Sequence, residues 1–519
     1  MPARRPSAAG SIEQSQKQLY LAILRELAPF EKLKRRELTD YERSYREGMP
    51  RKLRASTRGA LLSAIERARV VLVGDFHPFR QSQKGFIRIL EGAISKRTRP
   101  VIALECFSQR HQASLDHFRA GLITAEELRD KTNFDESWPF PWENYREILR
   151  LARSAKLPLL ALNVPGKLHA RDVAAAARIA ERLRAQSDTT IFALFGELHL
   201  GRSHLPKTLR AAIGASVPIT VIHQNDPALY WRTPTLPNGE KAEVIQLGVN
   251  EFCIQNSVPW VKLRSYLDWL EGSPTPDFDD DNFDAPGLVH HYAKLLAHTT
   301  GLPDALDQSM EVLPPDRLSR RSPLLHDLRS PDAELFSHAL RFRRTGYLPQ
   351  RGVLALSAVG TNALLEAATF LLRRSLKPTL PTKQLWGVDE FVSHFFFAYL
   401  GSKLLNPKRK CDEVADLRRR ALARDATAKR ALFLLAPHLK GEKRAARAPR
   451  LSASRELEAA RAAGFVLAER TFQALLQNAD ALDQVRKLLR SAEPRKLLRE
   501  VARGIRQARV APASKGEKF

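Results

Sequence analysis

The sequence predicts an α/β fold, with a mainly parallel sheet sandwiched by helices, followed by a mostly α-helical second domain. Short apolar segments alternate with amphipathic segments between residues 70 and 223, which is typical of a parallel sheet buried on both faces. After residue 285, apolar residues recur at helical spacing instead. The 519 residues are enough for two or three domains, because a single core stops growing at about 250–300 residues.

The predicted elements follow one another in a simple order. Residues 1–10 are expected to lack fixed structure, and a helical pattern runs from Ser11 to about Ala68. Five strands are then predicted at residues 70–74, 101–104, 157–163, 190–195 and 217–223. Helices are predicted between them at residues 81–95, 173–185 and 205–213. Two shorter strands, 244–248 and 252–254, predict a hairpin at the sheet edge, before a closing helix at 260–270.

Changes in composition divide the chain into five predicted segments. They are an N-terminal helical segment (1–59), the α/β domain (60–271), an acidic, Pro-rich linker (272–286), a helical domain (287–405) and a basic helical C-terminal region (406–519). The helical domain is predicted to contain helices at residues 288–298, 333–344, 355–374 and 389–405. The linker lacks the spacing of an EF-hand loop, so we expect a solvated connection. Residues 511–519 are expected to be a frayed end.

The chain carries a formal net charge of +27, and its basic clusters are concentrated after residue 406. A basic helical region can contact polyanions such as nucleic acid nonspecifically. The chain has no recognisable nucleic-acid-binding module, so a solvated basic surface is the favoured interpretation. Cys106, Cys253 and Cys411 form no Cys-x-x-Cys pair, which suits a reducing compartment. With no apolar signal region and no stretch of about 20 apolar residues, the sequence predicts a cytoplasmic protein without a membrane span, and it gives no indication of the oligomeric state.

Polar residues follow every one of the five predicted strands. They are Asp75 and His77 after the first strand, Glu105 after the second, Asn163 after the third, Glu197 and His199 after the fourth, and His223, Gln224 and Asn225 after the fifth. Parallel sheets bind ligands beyond the carboxyl ends of their strands, so we expect one site along this rim. Arg202 and His204 lie in the next turn, where they could face an anionic ligand at a helix N-terminus. His204 could equally cap the helix or pack against it.

Two kinds of chemistry suit these side chains. Imidazole and carboxylate groups bind Zn, Mn or Fe, and such a divalent metal lowers the pKa of a bound water. The candidate metal ligands are Asp75, His77, Glu105, Glu197 and His199. Without a metal, a histidine held by a carboxylate is a general base and a second acid is its partner. His77, Glu105, Glu197 and His199 are then the candidate catalytic residues of an ester or amide hydrolase.

Other active-site classes are disfavoured because their motifs are missing. The chain contains no G-x-S-x-G, H-E-x-x-H or P-loop motif, so the hydrolases and nucleotide-binding proteins that depend on them do not fit. An aromatic segment, Trp138-Pro-Phe-Pro-Trp142, follows the second strand on the rim side. There it could form the wall of an apolar pocket.

Several motifs in this region resemble a known family. They are Gly74-Asp-Phe-His77, Ala103-Leu-Glu105, Trp142 with Tyr145, Leu162-Asn163 and Gly196-Glu-Leu-His-Leu-Gly-Arg-Ser-His-Leu-Pro206, and they occur in the order expected of a ChaN-like domain. Residues 60–270 are therefore similar to the ChaN-like family, which belongs with the Tiki proteases and the erythromycin esterases in one superfamily. The resemblance implies haem binding linked to iron uptake, and a site formed by His77, Glu105, Glu197 and His199. Asp75 stands where such proteins usually carry Glu.

Three hypotheses follow. The first is a ChaN-like protein that binds haem or a metal-containing small molecule at the rim, with His77, His199, His204, Arg202 and Asn163 as cofactor-binding residues. The second is a hydrolase of the Tiki or erythromycin-esterase type that uses the same glutamates and histidines. The third is a basic scaffold or nucleic-acid-associated protein that acts through residues 406–519.

Overall fold

The structure is a computed structural model of the chain. It describes residues 8–32, 36–94, 100–186, 188–271, 284–304, 306, 310–315, 336–337, 345–348, 352–358, 360–376, 387–439, 450–477, 481–491 and 494–507. The chain divides into two compact units. The α/β unit comprises the described residues within Tyr20–Leu236 and Lys241–Thr275, and the helical unit comprises those within Met1–Leu19, Pro237–Glu240 and Pro276–Gly516. The finer segment boundaries that the sequence suggests stay predictions.

Several predictions fall outside the described residues. They concern residues 1–7 of the N-terminal end, residues 272–283 of the acidic linker, most of the helix at 333–344, residues 440–449 of the basic region and the C-terminal end from residue 508. Among the helices that the structure describes, none is long and apolar enough to cross a membrane. The cytoplasmic location and the contact with polyanions stay predictions.

The α/β unit is built on a sheet that has eight strands in the described residues. The strands are β1 (Arg54–Ser56), β2 (Val70–Asp75), β3 (Pro100–Ser108), β4 (Leu159–Asn163), β5 (Thr190–Gly196), β6 (Ile219–Gln224), β7 (Val244–Gly248) and β8 (Glu251–Ile254). Their order is β1-β7-β8-β6-β2-β5-β3-β4. All neighbours from β8 to β4 are parallel, whereas β7 is antiparallel to both β8 and β1. The predicted α/β class and all five predicted strands are confirmed.

One prediction about the sheet edge was wrong. The helical pattern was expected to run from Ser11 to Ala68, but Arg54–Ser56 forms the edge strand β1, paired with β7. This strand has three residues and is largely exposed, so no apolar alternation marks it in the sequence. The predicted hairpin of β7 and β8 is present, but β1 covers its outer edge.

The helices of the α/β unit lie between and beside these strands. They are the end of α1 (Ala8–Glu31), α2 (Arg36–Glu47), α3 (Arg58–Arg67), α4 (Arg80–Ile94), α5 (Gln112–Ala120), α6 (Ala125–Lys131), α7 (Phe134–Ser137), α8 (Trp142–Ser154), α9 (Leu168–Ala185), α10 (Leu205–Ile213), α11 (Pro227–Tyr230) and α12 (Pro259–Leu270). Short 3-10 turns occupy Gln109–His111 and Glu197–Leu200. The second turn carries the Glu and His that follow β5.

The sheet is buried on both faces, as its apolar strands predict. Successive side chains of a strand point to opposite faces. Val71 and Val73 of β2 therefore join a core formed with α4 and α8, while Val70 and Leu72 join a second core formed with α9 and α10. Burying each such side chain contributes about 1.5–3 kcal/mol. The two cores fix the strands in place, and so they fix the positions of the polar residues at and beyond the strand ends.

The helical unit contains long helices and one small sheet among the described residues. Its further helices are α13 (Ala285–Thr300), α14 (Thr361–Leu376), α15 (Val388–Leu405), α16 (Val414–Leu422), α17 (Ala426–Leu435), α18 (Ala453–Leu476), α19 (Ala481–Leu489) and α20 (Pro494–Gln507). Its strands are β9 (Glu311–Leu313), β10 (Thr345–Leu348) and β11 (Val353–Leu356), in the order β10-β11-β9. The predicted helix at 355–374 therefore begins too early. A short apolar run such as Val353-Leu-Ala-Leu fits a strand or a buried helix equally well.

Gly85 on α4 gives a direct test of how the helices fit the sheet. A Cβ at Gly85 would lie 2.0 Å from Oε1 of Gln224, whose buried amide donates to the carbonyls of Gly74 and Ser82. We expect Gly85→Ala to destabilise the protein by about 1–3 kcal/mol, because the buried amide must move. The unfolding midpoint by scanning calorimetry measures this effect.

The matched control is Gly92→Ala on the same helix. There the nearest atom to an added Cβ is Cδ2 of Leu62, at an ordinary 3.4 Å. We expect this change to be neutral or to stabilise by up to about 1 kcal/mol, because alanine favours a helix over glycine. Equal effects of the two substitutions would contradict the packing described for Gly85.

Candidate functional site

Glu105 is the buried carboxylate at the centre of the rim. It lies within β3, three residues before the strand ends at Ser108, and is 2% exposed. Its Oε1 forms an ion pair with Arg171 of α9, and its Oε2 accepts a hydrogen bond from the Gly196 N–H at 2.5 Å. Burial by itself raises the pKa of this carboxyl, but the guanidinium, two nearby imidazoles and the backbone N–H outweigh burial and hold the pKa below its usual value. Glu105 is therefore a carboxylate at neutral pH.

His77 lies on one side of Glu105, at the end of β2. Its Nδ1 is 2.9 Å from Oδ2 of Asp75, and the Tyr145 hydroxyl donates to the same carboxylate oxygen at 2.8 Å. Burial favours the neutral ring, but the Asp75 charge, the hydrogen bond to it and the Glu105 charge raise the pKa of His77 above its usual value. The Nε2 atom lies 3.9 Å from Oε2 of Glu105. The side chain keeps 19% of its surface exposed.

His199 lies on the other side of Glu105, in the 3-10 turn after β5. Its Nδ1 is 2.7 Å from Oδ1 of Asp172 on α9, and its Nε2 is 3.8 Å from Oε1 of Glu105. The Tyr41 hydroxyl of α2 donates to Asp172 and lies 3.1 Å from the same Nδ1. The His199 side chain is only 6% exposed. Each histidine is thus held by an aspartate that a tyrosine also binds.

The two imidazoles and Glu105 converge above Gly196. A Cβ at Gly196 would lie 3.2 Å from Oε2 of Glu105 and 3.3 Å from both Nε2 of His77 and Cδ2 of His199. This contact is tighter than ordinary packing allows, so a side chain here would crowd all three groups. Within the described residues, neither Nε2 atom has a hydrogen-bond partner of its own. Both are free to engage a ligand, a substrate or a water.

Glu197 belongs to a neighbouring cluster. Its Oε2 pairs with Nζ of Lys262 on α12 at 2.5 Å, and this buried ammonium also lies 4.5 Å from the centre of the Phe76 ring. Burial raises the pKa of Glu197, and the Lys262 charge offsets that only in part. His223 lies in the same cluster, 3.2 Å from Oε1 of Glu251.

The other candidate residues of the turn after β5 make structural contacts. His204 Nδ1 is 2.7 Å from the Leu198 carbonyl, and its ring stacks on Tyr41 at 3.7 Å between centroids. Arg202 donates to Glu251 at 2.7 Å. Neither reaches the point between His77 and His199 through a described contact. Asn163 ends β4, and its buried Oδ1 has no hydrogen-bond partner in the part of the chain that the structure describes.

Sequence reasoning missed several residues that the structure brings to the rim. They are Arg171 and Asp172 in the first turn of α9, Lys262 in the first turn of α12, Tyr41 of α2 and Gln83 of α4, which donates to Asp75. The helices α9 and α12 follow β4 and β8, so their first turns stand at the carboxyl ends of the strands. That position was a usable signal for Arg171 and Lys262. Nothing in the sequence marks Tyr41.

The divalent metal that the sequence predicted receives no support from the geometry. Among the described residues, no group of three or more His, Cys, Asp or Glu side chains is arranged to hold a metal ion. The side chains explain this, because each candidate carboxylate already has a partner. Asp75 and Asp172 engage the imidazoles, Glu105 engages Arg171, and Glu197 engages Lys262.

An aromatic wall adjoins His77. It consists of Trp138, Phe140, Trp269, Tyr266 and Phe76, linked edge to edge or face to face with centroid separations of 4.7–5.9 Å. The His77 ring lies 4.6 Å from Trp138 and 4.7 Å from Phe140. Trp138 is buried, whereas the other four rings are partly exposed. Trp138 and Phe140 of the predicted aromatic segment lie in this wall, which extends into α12, whereas Trp142 is buried in the core against Phe107 and Phe134.

The raised pKa of His77 can be tested by removing its charged partner. A histidine with a raised pKa stabilises the fold below its usual pKa of about 6.5, and this contribution is lost as the pH rises through the folded-state pKa. We expect Asp75→Asn to lower the pKa of His77 and to remove that low-pH stabilisation. A ¹⁵N-resolved NMR titration of the imidazoles measures the pKa.

Tyr145→Phe is the matched control for that titration. It removes one hydrogen bond to Asp75 and leaves the carboxylate charge in place. We expect His77 to keep its raised pKa in this variant. The same His77 pKa in Asp75→Asn and in the unmodified protein would show that Asp75 is not the cause.

Comparison with known proteins gives a family for part of this unit. Residues 61–192 match the family described as haem-binding uptake, Tiki superfamily, ChaN. No curated protein matches the chain. Among solved structures, one described as cofacial heme binding to ChaN of Campylobacter jejuni is 17% identical, with a TM-score of 0.28, and the match covers 33% of this chain and 86% of that one. The type III effector HopBA1 is 15% identical, with a TM-score of 0.26, over 34% of this chain and 87% of the effector.

At these TM-scores neither structural likeness bears on the fold or the site. The family match covers β2, β3, β4 and the helices between them, and it includes Asp75, His77, Glu105, Arg171 and Asp172. Glu197, His199 and α2 lie outside it. The α/β unit of this chain carries a ChaN-like domain of the Tiki superfamily, matched over residues 61–192.

Proposed function

We propose that the ChaN-like domain binds haem at the carboxyl rim of the sheet, with His77 as the iron ligand. One observation carries this proposal. The Nδ1 atom of His77 is engaged by Asp75, so its Nε2 is the free nitrogen, and the ring lies against the aromatic wall. A carboxylate on the far nitrogen fixes the tautomer and makes the free nitrogen a better ligand for a metal.

The surroundings of His77 fit a large planar ligand. The partly exposed rings of the wall offer flat apolar surface of the kind that lines cofactor sites. Nε of Arg171 is a buried donor, and Oδ1 of Asn163 is a buried acceptor, that have no partner within the described residues. An anionic group at the edge of a ligand can accept a hydrogen bond from the Arg171 Nε, whereas the Asn163 Oδ1 can only accept one from a donor group. Haem would supply iron chemistry, while these residues bind and orient it.

A haem titration of the full-length protein tests this proposal. We expect a Soret band at micromolar haem, and we expect His77→Ala to weaken binding by more than about tenfold, since even removing a ligand's hydrogen-bond partner costs 10–100-fold in metal affinity. Asp75→Asn removes only the hydrogen-bond partner of His77, so it should weaken binding by about 10–100-fold. Absorption spectroscopy gives both the affinity and the ligation state.

His169→Ala is the control for nonspecific ligation. His169 is an exposed histidine on α9, two residues before Arg171, and its removal should leave the Soret band unchanged. No spectral change in the unmodified protein, or equal loss in the His169 and His77 variants, would overturn the proposal.

Acid/base hydrolysis is the second candidate, because His77 and His199 both turn Nε2 toward Glu105. Each nitrogen is 3.8–3.9 Å from a Glu105 oxygen, which is too long for a direct hydrogen bond but short enough for one small reactant to contact all three groups. In this proposal, His199 takes a proton from an attacking water. His77, whose pKa is raised, gives a proton to the leaving group.

A panel of nitrophenyl esters and anilides tests this second candidate. We expect Glu105→Gln to reduce kcat by about 10²–10⁴-fold if the cluster performs acid/base chemistry. His169→Ala again serves as the control and should keep full activity. Turnover that is unaffected by Glu105→Gln would assign the activity to another part of the chain or to a contaminant.

A further inference from the structure

One face of helix α2 is polar and lies on the rim. Four residues of this face are separated by four, three and one positions, so they share one side of the helix. They are Glu37, Tyr41, Ser44 and Tyr45. Each contacts the rim or the segments beside it. The helix precedes the family-matched region and supplies groups that the matched region lacks.

The two tyrosines make parallel contacts. Tyr41 donates to Asp172 and lies 3.1 Å from Nδ1 of His199. Tyr45 donates to Asp226 and lies 3.2 Å from Nδ1 of His223. One turn of helix therefore places one phenol on the Asp172–His199 pair beyond β5 and another phenol between His223, near the end of β6, and Asp226.

Two further residues, Ser44 and Glu37, hold the same face. Ser44 Oγ is 2.9 Å from Ser203 Oγ and 3.1 Å from Nε2 of His204. Glu37 accepts a hydrogen bond from the Leu168 N–H, at the start of α9. The helix thus spans from the first turn of α9 to the segment between β5 and α10, across the His199 end of the candidate site.

The exposure of the two histidines reflects this cover. His199 and Asp172, beneath Tyr41, are 6% and 0% exposed at their side chains, whereas His77, beyond the reach of α2, is 19% exposed. The attachment of α2 is mostly polar. Its sequence contains one aliphatic residue, Leu38, and Tyr45 is its only buried residue. Hydrogen bonds of this kind exchange for bonds to water at small net cost, unlike the packed apolar faces of α4 and α9.

We propose that α2 is a lid over the His199 side of the candidate site, and that its release exposes the His199 imidazole, whose Nδ1 side it covers, to ligand or substrate. Helices attached by few buried apolar contacts belong to the parts of a fold that open most readily. The lid rests on the acid/base candidate function, in which His199 takes part, and does not depend on haem binding at His77. The tests of the lid use no haem and no substrate, so they can support the lid even if the haem titration or the hydrolysis assay gives a negative result.

The serine pair provides a way to lock the lid. The hydroxyls of Ser44 and Ser203 are 2.9 Å apart, and we propose to replace the two serines by a disulfide, which needs Cβ atoms about 3.5–4.5 Å apart. In the double variant Ser44→Cys, Ser203→Cys, the probe is acylation of His199 by diethyl pyrocarbonate, measured by peptide mass spectrometry. We expect oxidation to slow this reaction by about tenfold or more, because opening limits access, and we expect reduction to restore it.

His169 is the internal reference, since it is exposed on α9 and its acylation should not depend on the disulfide. Equal His199 acylation in the oxidised and reduced forms would overturn the lid. Haem association in the two forms then addresses the proposed function separately. Because His77 lies beyond the reach of α2, equal association in the two forms supports haem binding at His77, and absent haem binding in both forms counts against haem alone.

Hydrogen exchange provides a second test that needs no disulfide. We expect the amides of α2 to exchange faster than those of α9, and we expect Tyr41→Phe and Tyr45→Phe each to accelerate exchange in α2 while α4 stays unchanged. Exchange in α2 as slow as in α9, or no response to either substitution, would show that α2 is a fixed brace and would overturn the proposal.

Discussion

The candidate site depends on one buried carboxylate. Glu105 lies within β3 beneath the rim, where an unpaired charge would be very costly. It is stabilised by the Arg171 guanidinium and by the Gly196 N–H, which tie β3 to α9 and to β5. Because these bonds use both oxygens, the carboxylate has one orientation. The imidazoles on either side then face a fixed negative charge, and Gly196 leaves the space between them open.

The two histidines beside Glu105 are held by the same kinds of side chain, but those side chains come from different parts of the chain. His77 is held by Asp75 and Tyr145, all within the family-matched region. His199 is held by Asp172, which is inside that region, and by Tyr41, which is not. A complete description of the His199 side therefore requires the N-terminal helix as well as the family-matched segment. The same turn of helix also reaches the cluster at the end of β6.

Much of this could be predicted from the sequence. The five buried strands are continuous apolar runs, and the rule that parallel sheets bind ligands at their carboxyl ends placed Glu105, His77 and His199 together. The contacts of Glu197 were harder to predict. Glu197 stands two positions before His199 in a 3-10 turn, and its side chain points to Lys262 instead of Glu105. Arg171 and Asp172 come from a helix, and Tyr41 lies far away in the chain. No local pattern encodes such tertiary pairing, and the same holds for the three-residue strand β1.

The two candidate functions make different demands on these groups. Haem ligation needs one imidazole beside an open apolar surface, and of the two only His77 lies against the aromatic wall. Such a site has no need of a second histidine turned toward Glu105. Acid/base chemistry needs both imidazoles and a fixed carboxylate around one point, and it has no need of five linked aromatic rings unless its substrate is itself large and flat. The wall therefore constrains the ligand under either function, since whatever reacts or binds between His77 and Glu105 must lie against an aromatic surface. The two functions therefore differ in their need for His199, because only acid/base chemistry makes use of this imidazole.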